Sequence, residues 1–411
     1  MNRIAYPGIT IRIRLVLLLT GLLACESCGM AQEQQVEVLF PKIFTHITNN
    51  NGYEEFVRAV DDSRTIPDVN AAMSPGATLT EKRRVINSQQ AREAIELIKM
   101  GLQKPVHSPR TAMDENTTFP ELSGFRHLGR LMGIQIYVDL ADGHVSSAIE
   151  NLRIGLEFAN RVQTDTLISG LVGIAIEAIA EKSFSTHLDQ LSYYDCENLL
   201  RAMQERLSDE APGARVFTYE GNFLCSILEH NRTNMDGLIE MLNDETDDSP
   251  TSAATATLLE GIRAHPDQLS SAISSVEDKI KQNYAIAIDN LSLPMDRRKP
   301  YLQETSNSLD AMLFNSVSID PGNIVDRYIV SRTKLHMLAL HAVIRKYRWE
   351  HGILPGSLAV LHRPELTIDP MTGKPFNYIV KGEVYTLSAV GLVKRDENGE
   401  PLPQRDMLTL Q

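Results

Sequence analysis

The sequence predicts a mainly α-helical chain that carries a small β-hairpin unit at its C-terminal end. Three observations carry this reading. Apolar residues recur at helical spacing over most of the chain, Gly and Pro punctuate those runs, and period-two alternation emerges only near the end. An array of helical hairpins is expected, because about 380 residues exceed what one ordinary core holds.

At the start, Arg3, Arg12 and Arg14 flank an apolar run from 15 to 24 that gives way to small residues, the layout of a secretory signal. The run holds about ten apolar residues where a membrane span needs about 20, so residues 1–31 are read as a signal and set outside the fold. Two processing sites compete. Gly29-Met30-Ala31 suits a general signal peptidase acting after Ala31. Leu22-Leu23-Ala24-Cys25 resembles a bacterial lipoprotein box, which would end the signal at 24 and place lipid on Cys25, although Leu23 is bulkier than that box usually carries.

Loss of residues 1–31 removes three Arg and one Glu, so the net charge falls from −13 to −15. That acidity argues against nucleic acid, which demands a clustered Lys/Arg excess. The densest basic groups, Lys82-Arg83-Arg84 and Arg297-Arg298-Lys299, are short and flanked by acids or turns, as at solvated helix ends. Beyond the signal only Cys196 and Cys225 remain. In an oxidising compartment they could form one bridge, and their apolar helical neighbours suit two buried free thiols equally well. So few cysteines exclude a disulfide scaffold or a Cys-rich zinc module.

The helical body is drawn over 32–320. Residues 89–102 read as a helix with Ala91, Ile95 and Ile98 on one face, followed by a loop marked by Pro105, Pro109 and Pro120. A helix over 122–142, a break at Asp142-Gly143 and a second helix over 145–160 make a hairpin. Gly143, Ala148, Leu152 and Leu156 resemble the turn and second helix of a tetratricopeptide repeat. Ile136 and Gly155 depart from it, and no second copy follows at its roughly 34-residue interval, so the match is taken as one similarly packed helical pair.

Residues 167–180 are apolar nearly all round apart from Ser169 and Glu177, which predicts a helix inside a layer, too short to span a membrane. Asp195 is expected to cap a helix over 197–207. Pro212-Gly213 precedes a helical stretch over 215–243, and the acidic run 244–257 reads as an exposed connection. Helical patterns continue over 258–291, interrupted at His265-Pro266, and over 301–314.

The closing unit is drawn over 321–411. Pro321-Gly322 opens the clearest helix, with Ile324, Tyr328, Leu335, Leu338, Ala342 and Trp349 on one stripe, and His351-Gly352 stops it. Residues 376–380 and 384–389 alternate around Lys381-Gly382-Glu383 as a β-hairpin. Such a hairpin is marginal alone and needs the long helix as its floor, through Tyr378, Tyr385 and Leu387.

Several pieces of this unit occur in a telling order: Tyr347-Arg348-Trp349-Glu350-His351-Gly352, Leu354-Pro355-Gly356-Ser357-Leu358, Asp369-Pro370-Met371-Thr372-Gly373 through Tyr378, and Tyr385-Thr386-Leu387-Ser388-Ala389-Val390-Gly391. Together they resemble the globular head of type II secretion major pseudopilins. The family's N-terminal processing site and assembly helix are missing, so the resemblance implies no pilin subunit. The whole chain is similar to exported bacterial helical proteins of unknown function that bear such a tail, a group that brings no catalytic residues. The family's calcium loop would fall on Asp396-Glu397-Asn398-Gly399-Glu400. Leu392-Val393 and Lys394-Arg395 beside it favour a solvated turn, and the metal assignment is left open.

Catalytic signatures are sparse. Gly-x-Gly-x-x-Gly, the P-loop, His-Glu-x-x-His and Gly-x-Ser-x-Gly do not occur. Ser331-Arg332-Thr333-Lys334 matches a Ser-x-x-Lys spacing, but its Ser-x-Asn and Lys-Thr-Gly companions are missing, so an ordinary helix turn is expected. His336 and His341, five residues apart, fall on different sides of one helix and cannot share a metal from one face. Glu229-His230 and Glu350-His351 read as surface or capping pairs, and Glu177 and Glu220 as single buried acids. The expectation is an exported, non-catalytic protein that offers helical surfaces to a protein partner, without a cofactor, in the periplasm or held to a membrane through a lipid anchor. The alternative is a hydrolase acting on envelope polymers.

Overall fold

The structure, a computed structural model, describes residues 38–410 apart from 45–46, 49, 67, 111–116, 209–211, 233–259, 307 and 396–400. Residues 1–31, where a signal is expected and which include Cys25 and Ala31, the acidic run 244–257 and residues 396–400, read as a solvated turn, lie outside the described residues.

Local sequence signals set most helix boundaries. α1 (Gly52–Ser63) starts on Asn51, whose side chain accepts the Tyr53 amide. α2 (Leu79–Ile86) opens with a reciprocal capping box between Thr78 and Glu81, and α3 (Gln89–Leu102) opens on the Ser88 side chain. α4 (Glu121–Ala141) and α5 (Val145–Arg161) form the expected hairpin. Their turn uses Gly143 at φ +78°, where a side chain would be strained. α6 (Leu167–Phe184) starts in a second capping box, Thr166 with Ser169.

α7 (Tyr193–Ser208) corrects one expectation, because Asp195 does not cap it. Ser192 does: its Oγ accepts the Asp195 amide at 3.3 Å, while the Asp195 carboxylate accepts the Ser192 amide at 3.0 Å. Asp195 is therefore the reciprocal third-position partner of the box. α8 (Pro212–His230) and α9 (Pro266–Asn290) follow, with Pro266 in the first turn, where its missing N–H is harmless.

The helical reading of 301–314 fails in its first half. α10 covers Leu309–Val317, and the Asn283 side chain on α9 takes the Leu302 amide at 2.7 Å, tying the preceding segment down outside a helix. α11 (Gly322–His351) then runs to Gly352, whose φ of +75° makes the left-handed stop.

The expected hairpin is present as β1 (Asn377–Lys381) and β2 (Val384–Arg395). It is joined by an unanticipated antiparallel third strand, β3 (Pro401–Leu410), in the order β1-β2-β3. Register shifts beyond Val390 let the longer strands bend.

Buried apolar residues fall into three clusters. The first joins α1 to α4 with Phe158, Ile168, Val172 and Ile176. The second joins the ends of α4 to α6, α7, the second half of α11 and the sheet. The third joins α8, α9 and α10 to the first half of α11, with Leu167 and Leu171. α6 contributes to all three, as its apolar circumference requires. α4 lies so close to it that a Cβ on Gly129 would sit 2.9 Å from Ile176.

The sheet rests on α11 as expected, since Tyr385 and Leu387 share a cluster with Leu335, Leu338 and Ala342. A polar anchor reinforces the contact. His341 Nε2 lies 3.3 Å from the Leu188 carbonyl, which can only accept. Nδ1 is therefore the acceptor for the Tyr385 hydroxyl, so one ring joins α11, the sheet and the turn after α6. Truncation after Gly352 should uncover several large side chains at about 1.5 to 3 kcal/mol each, a substantial share of typical domain stability. A lowered melting temperature with aggregation or loss of α11 helicity is expected; unchanged melting and solubility would make the tail an independent appendage.

Candidate functional site

An open groove runs along α5 between α3 and α7. Three adjoining cavities of about 330, 240 and 120 Å³ compose it, and Arg153 lines each one. Its floor is the α5 face carrying Ser146, Ile149, Glu150, Arg153 and Glu157. These positions recur every three or four residues and therefore share one side of the helix. α7 forms one wall through Asn198, Arg201, Ala202 and Glu205, and α3 the other through Lys99, Leu102 and Gln103. Tyr194 lies one turn before Asn198 on the same row of α7 and is 74% exposed, so an aromatic ring continues that row beyond the groove's lining.

The charges of the groove are unevenly satisfied. Arg153 grips Glu150 through two hydrogen bonds of 2.9 and 2.7 Å, and this holds the Glu150 carboxyl below its ordinary range. Arg201, by contrast, is exposed, donates to the neutral Asn198 amide at 2.7 Å and acts electrostatically on Glu197, while the exposed Glu205 acts on Arg153. An exposed cation and an exposed anion thus stand a helical turn apart on the row that begins at Tyr194. Tyr and Arg are the residues that dominate protein interfaces. A second exposed aromatic, Trp349 at 57%, flanks the other side of α7, its indole N–H donating to the Leu191 carbonyl.

The residues singled out in the sequence are dispersed. Ser331 and Lys334 do not meet: Ser331 Oγ donates to Glu177 Oε2 at 2.5 Å, and Lys334 lies 3.5 Å from Glu181. Glu177 also takes Arg206, so this buried carboxylate joins α6, α7 and α11. His336 is buried with neither ring nitrogen hydrogen-bonded among the described residues, and burial pushes it down to about 4. His341 is committed to Tyr385 and Leu188. Cys196 and Cys225 are free thiols in different clusters, so the structure does not bring the two together. Burial raises both thiols, Cys196 to about 11, which disfavours the reactive thiolate.

The basic runs are engaged with acids: Arg83 with Asp142, Arg84 with Asp68, Arg298 with Asp326 and Lys299 with Asp289. Among the described residues no group of His, Cys, Asp and Glu is arranged to hold a metal, and no helix is long and apolar enough to cross a membrane. The groove residues escaped sequence reasoning because they come from three separate helices. The available signal was the Tyr194, Asn198, Arg201, Glu205 row on a helix whose opposite side is apolar.

No family model, curated protein or solved structure matches the chain.

The Glu177 junction can be tested independently of the groove. Glu177→Ala strands Arg206 in a largely buried position, and breaking a buried pair in this way costs about 3 to 5 kcal/mol. Ser331→Ala removes one donor and should cost about 1 kcal/mol. Chemical unfolding of both variants measures the difference; equal losses would show that Arg206 does not depend on Glu177.

Proposed function

We propose that this is an exported, non-catalytic helical protein that docks a protein partner in the groove between α3, α5 and α7. The observation that carries the reading is the junction of an open groove, an exposed tyrosine on the helix row that forms its wall and two exposed charges on that wall. The groove suits binding because its chemistry is that of an interface: an exposed aromatic on the adjoining helix row, an exposed arginine and a polar rim over a partly apolar floor. Its acidic groups stand singly or in ion pairs with arginine, an arrangement suited to recognition and poorly suited to general acid and base work.

Tyr194→Ala combined with Arg201→Glu should weaken partner capture from native envelope at least about thirtyfold, the effect of losing roughly 2 kcal/mol at an interface centre. Both positions are exposed, so the melting temperature should not move. A partner retained equally by the double variant would place the interface elsewhere.

We infer further that the C-terminal unit is a pseudopilin-head-like module reused as a structural tail. What supports this is a long helix ending on a left-handed glycine, a small antiparallel sheet laid on that helix, and the Asp369 turn between them. Asp369 is buried and accepts the Met371 amide and the Thr372 hydroxyl, each at 2.9 Å, so the Asp-Pro segment is an internally braced loop.

Export remains tied to the N-terminal signal, with Cys25 lipidation as the anchoring route and cleavage after Ala31 as the soluble one. If the anchor is used, Cys25→Ala should release the protein from membranes, since a diacylated cysteine gives stable attachment. A parent protein found entirely in the soluble fraction rejects lipidation.

A further inference from the structure

Two side chains of α8 hold the junction between α5 and α6. Arg215 donates to the Gln163 carbonyl at 2.8 Å, and Glu220 Oε2 accepts the Leu167 amide at 2.9 Å. Leu167 is the first residue of α6, and first-turn amides have no acceptor within their own helix. Thr166 caps the Ser169 amide, so Glu220 completes the helix end from another helix.

The surroundings of Glu220 are unusual for a carboxyl group. It is buried, and among the described residues its one hydrogen-bond donor is the Leu167 amide. From α9 it is faced by Tyr284, whose ring packs on Gly221 and whose hydroxyl has no hydrogen-bond partner among the described residues. On other residues of α8, Gly213 and Phe217, packs Tyr328 of α11, which is influenced by Glu177, Arg206 and Arg215. The α5–α6 turn contributes Asp165, itself raised by burial and moderated by Ser108, Thr164, Arg110 and Arg215. On α8, Arg215 is exposed and already committed to Gln163.

No cation therefore pairs with Glu220 among the described residues. The positive end of α6 and one amide favour the ionised form, but one helix end does not offset the loss of water around a fully enclosed charge. Burial accordingly pushes Glu220 up to about 7, against the pull of the Leu167 amide. Tyr284 is raised by the same burial and by Glu220.

We propose that Glu220 is a proton-operated clasp, which holds the α8–α9 pair against the N-terminus of α6 while protonated and loosens that layer when it ionises. The direction follows from proton counting. Between the ordinary glutamate value and about 7, the folded state keeps a proton that the unfolded state has released. The clasp is thus fully set below the ordinary value and is lost as pH rises through about 7. Asp165, displaced in the same direction, adds to the effect.

The experiment is amide hydrogen exchange on the full chain at pH 5 and pH 8, corrected for intrinsic exchange rates. Opening of α8, α9 and the first turn of α6 should increase on the order of a hundredfold in the wild type. In Glu220→Gln, which keeps an acceptor for Leu167 without a titrating charge, the increase should shrink to the smaller part that Asp165 contributes. An equal increase in Glu220→Gln, or none in the wild type, overturns the clasp. Should the variant fail to fold, infrared titration of the wild type decides: a carboxylic acid band that disappears near neutral pH is expected, and complete ionisation of every carboxyl group below pH 6 overturns it.

Discussion

α6 has almost no solvent-facing side, and the rest of the architecture follows from that constraint. A helix apolar nearly all round must be covered on all sides, and the three core clusters are the three coverings. Its polar groups then have to be satisfied by other helices. Thr166 and Glu220 take its N-terminal amides, and Arg206 with Ser331 takes Glu177. Each of these partners fixes a different neighbour: α8 through Glu220, α7 through Arg206 and α11 through Ser331. An unsatisfied carboxylate in the same place would be far more damaging than its pairing is stabilising, so Glu177 specifies which helices meet more than it strengthens their meeting.

How much of this was legible depended on where the information lies. Residues 89–102, the 122–160 hairpin and the long helix ending at Gly352 were readable because one face of each is apolar and local punctuation marks its ends. The buried helix from 167 was readable by its lack of any polar face. α1 and α2 were not anticipated, although Thr78-Leu79-Thr80-Glu81 is a capping box visible in sequence. Two acids buried on the first turn of α1, Glu54 and Glu55, obscured its inner face. β3 was hidden by Pro401, Pro403 and the polar run after them, which are tolerated because the strand lies at the sheet edge.

The candidate groove was far less legible than the fold. Its floor and walls come from α3, α5 and α7, and the long-range contacts that assemble them leave no mark in any one segment. The residues that sequence reasoning did isolate are chiefly internal struts. Ser331 is drawn to Glu177 and away from Lys334, because a buried carboxylate attracts the nearest hydroxyl. His341 owes its place to a carbonyl and a phenol. These groups stood out as chemistry because burial and polarity together are rare, and burial is also what limits their access to a substrate.

The buried titratable groups act in opposite senses. Burial pushes His336 and His341 down to about 4, so the folded state binds fewer protons than the unfolded chain below the ordinary histidine range, and their contribution is lost on acidification. Glu220 and Asp165 are raised, so their contribution is lost on alkalinisation. The histidines belong to α11, where His341 secures the sheet, whereas the acids belong to the contact of α8 with the α5–α6 turn. Through these four groups, acid acts on the contact of α11 with the sheet and base on the contact of α8 with the α5–α6 turn. α6 lies between the two and touches both, so a change of protonation at either place acts on the packing of the same central helix.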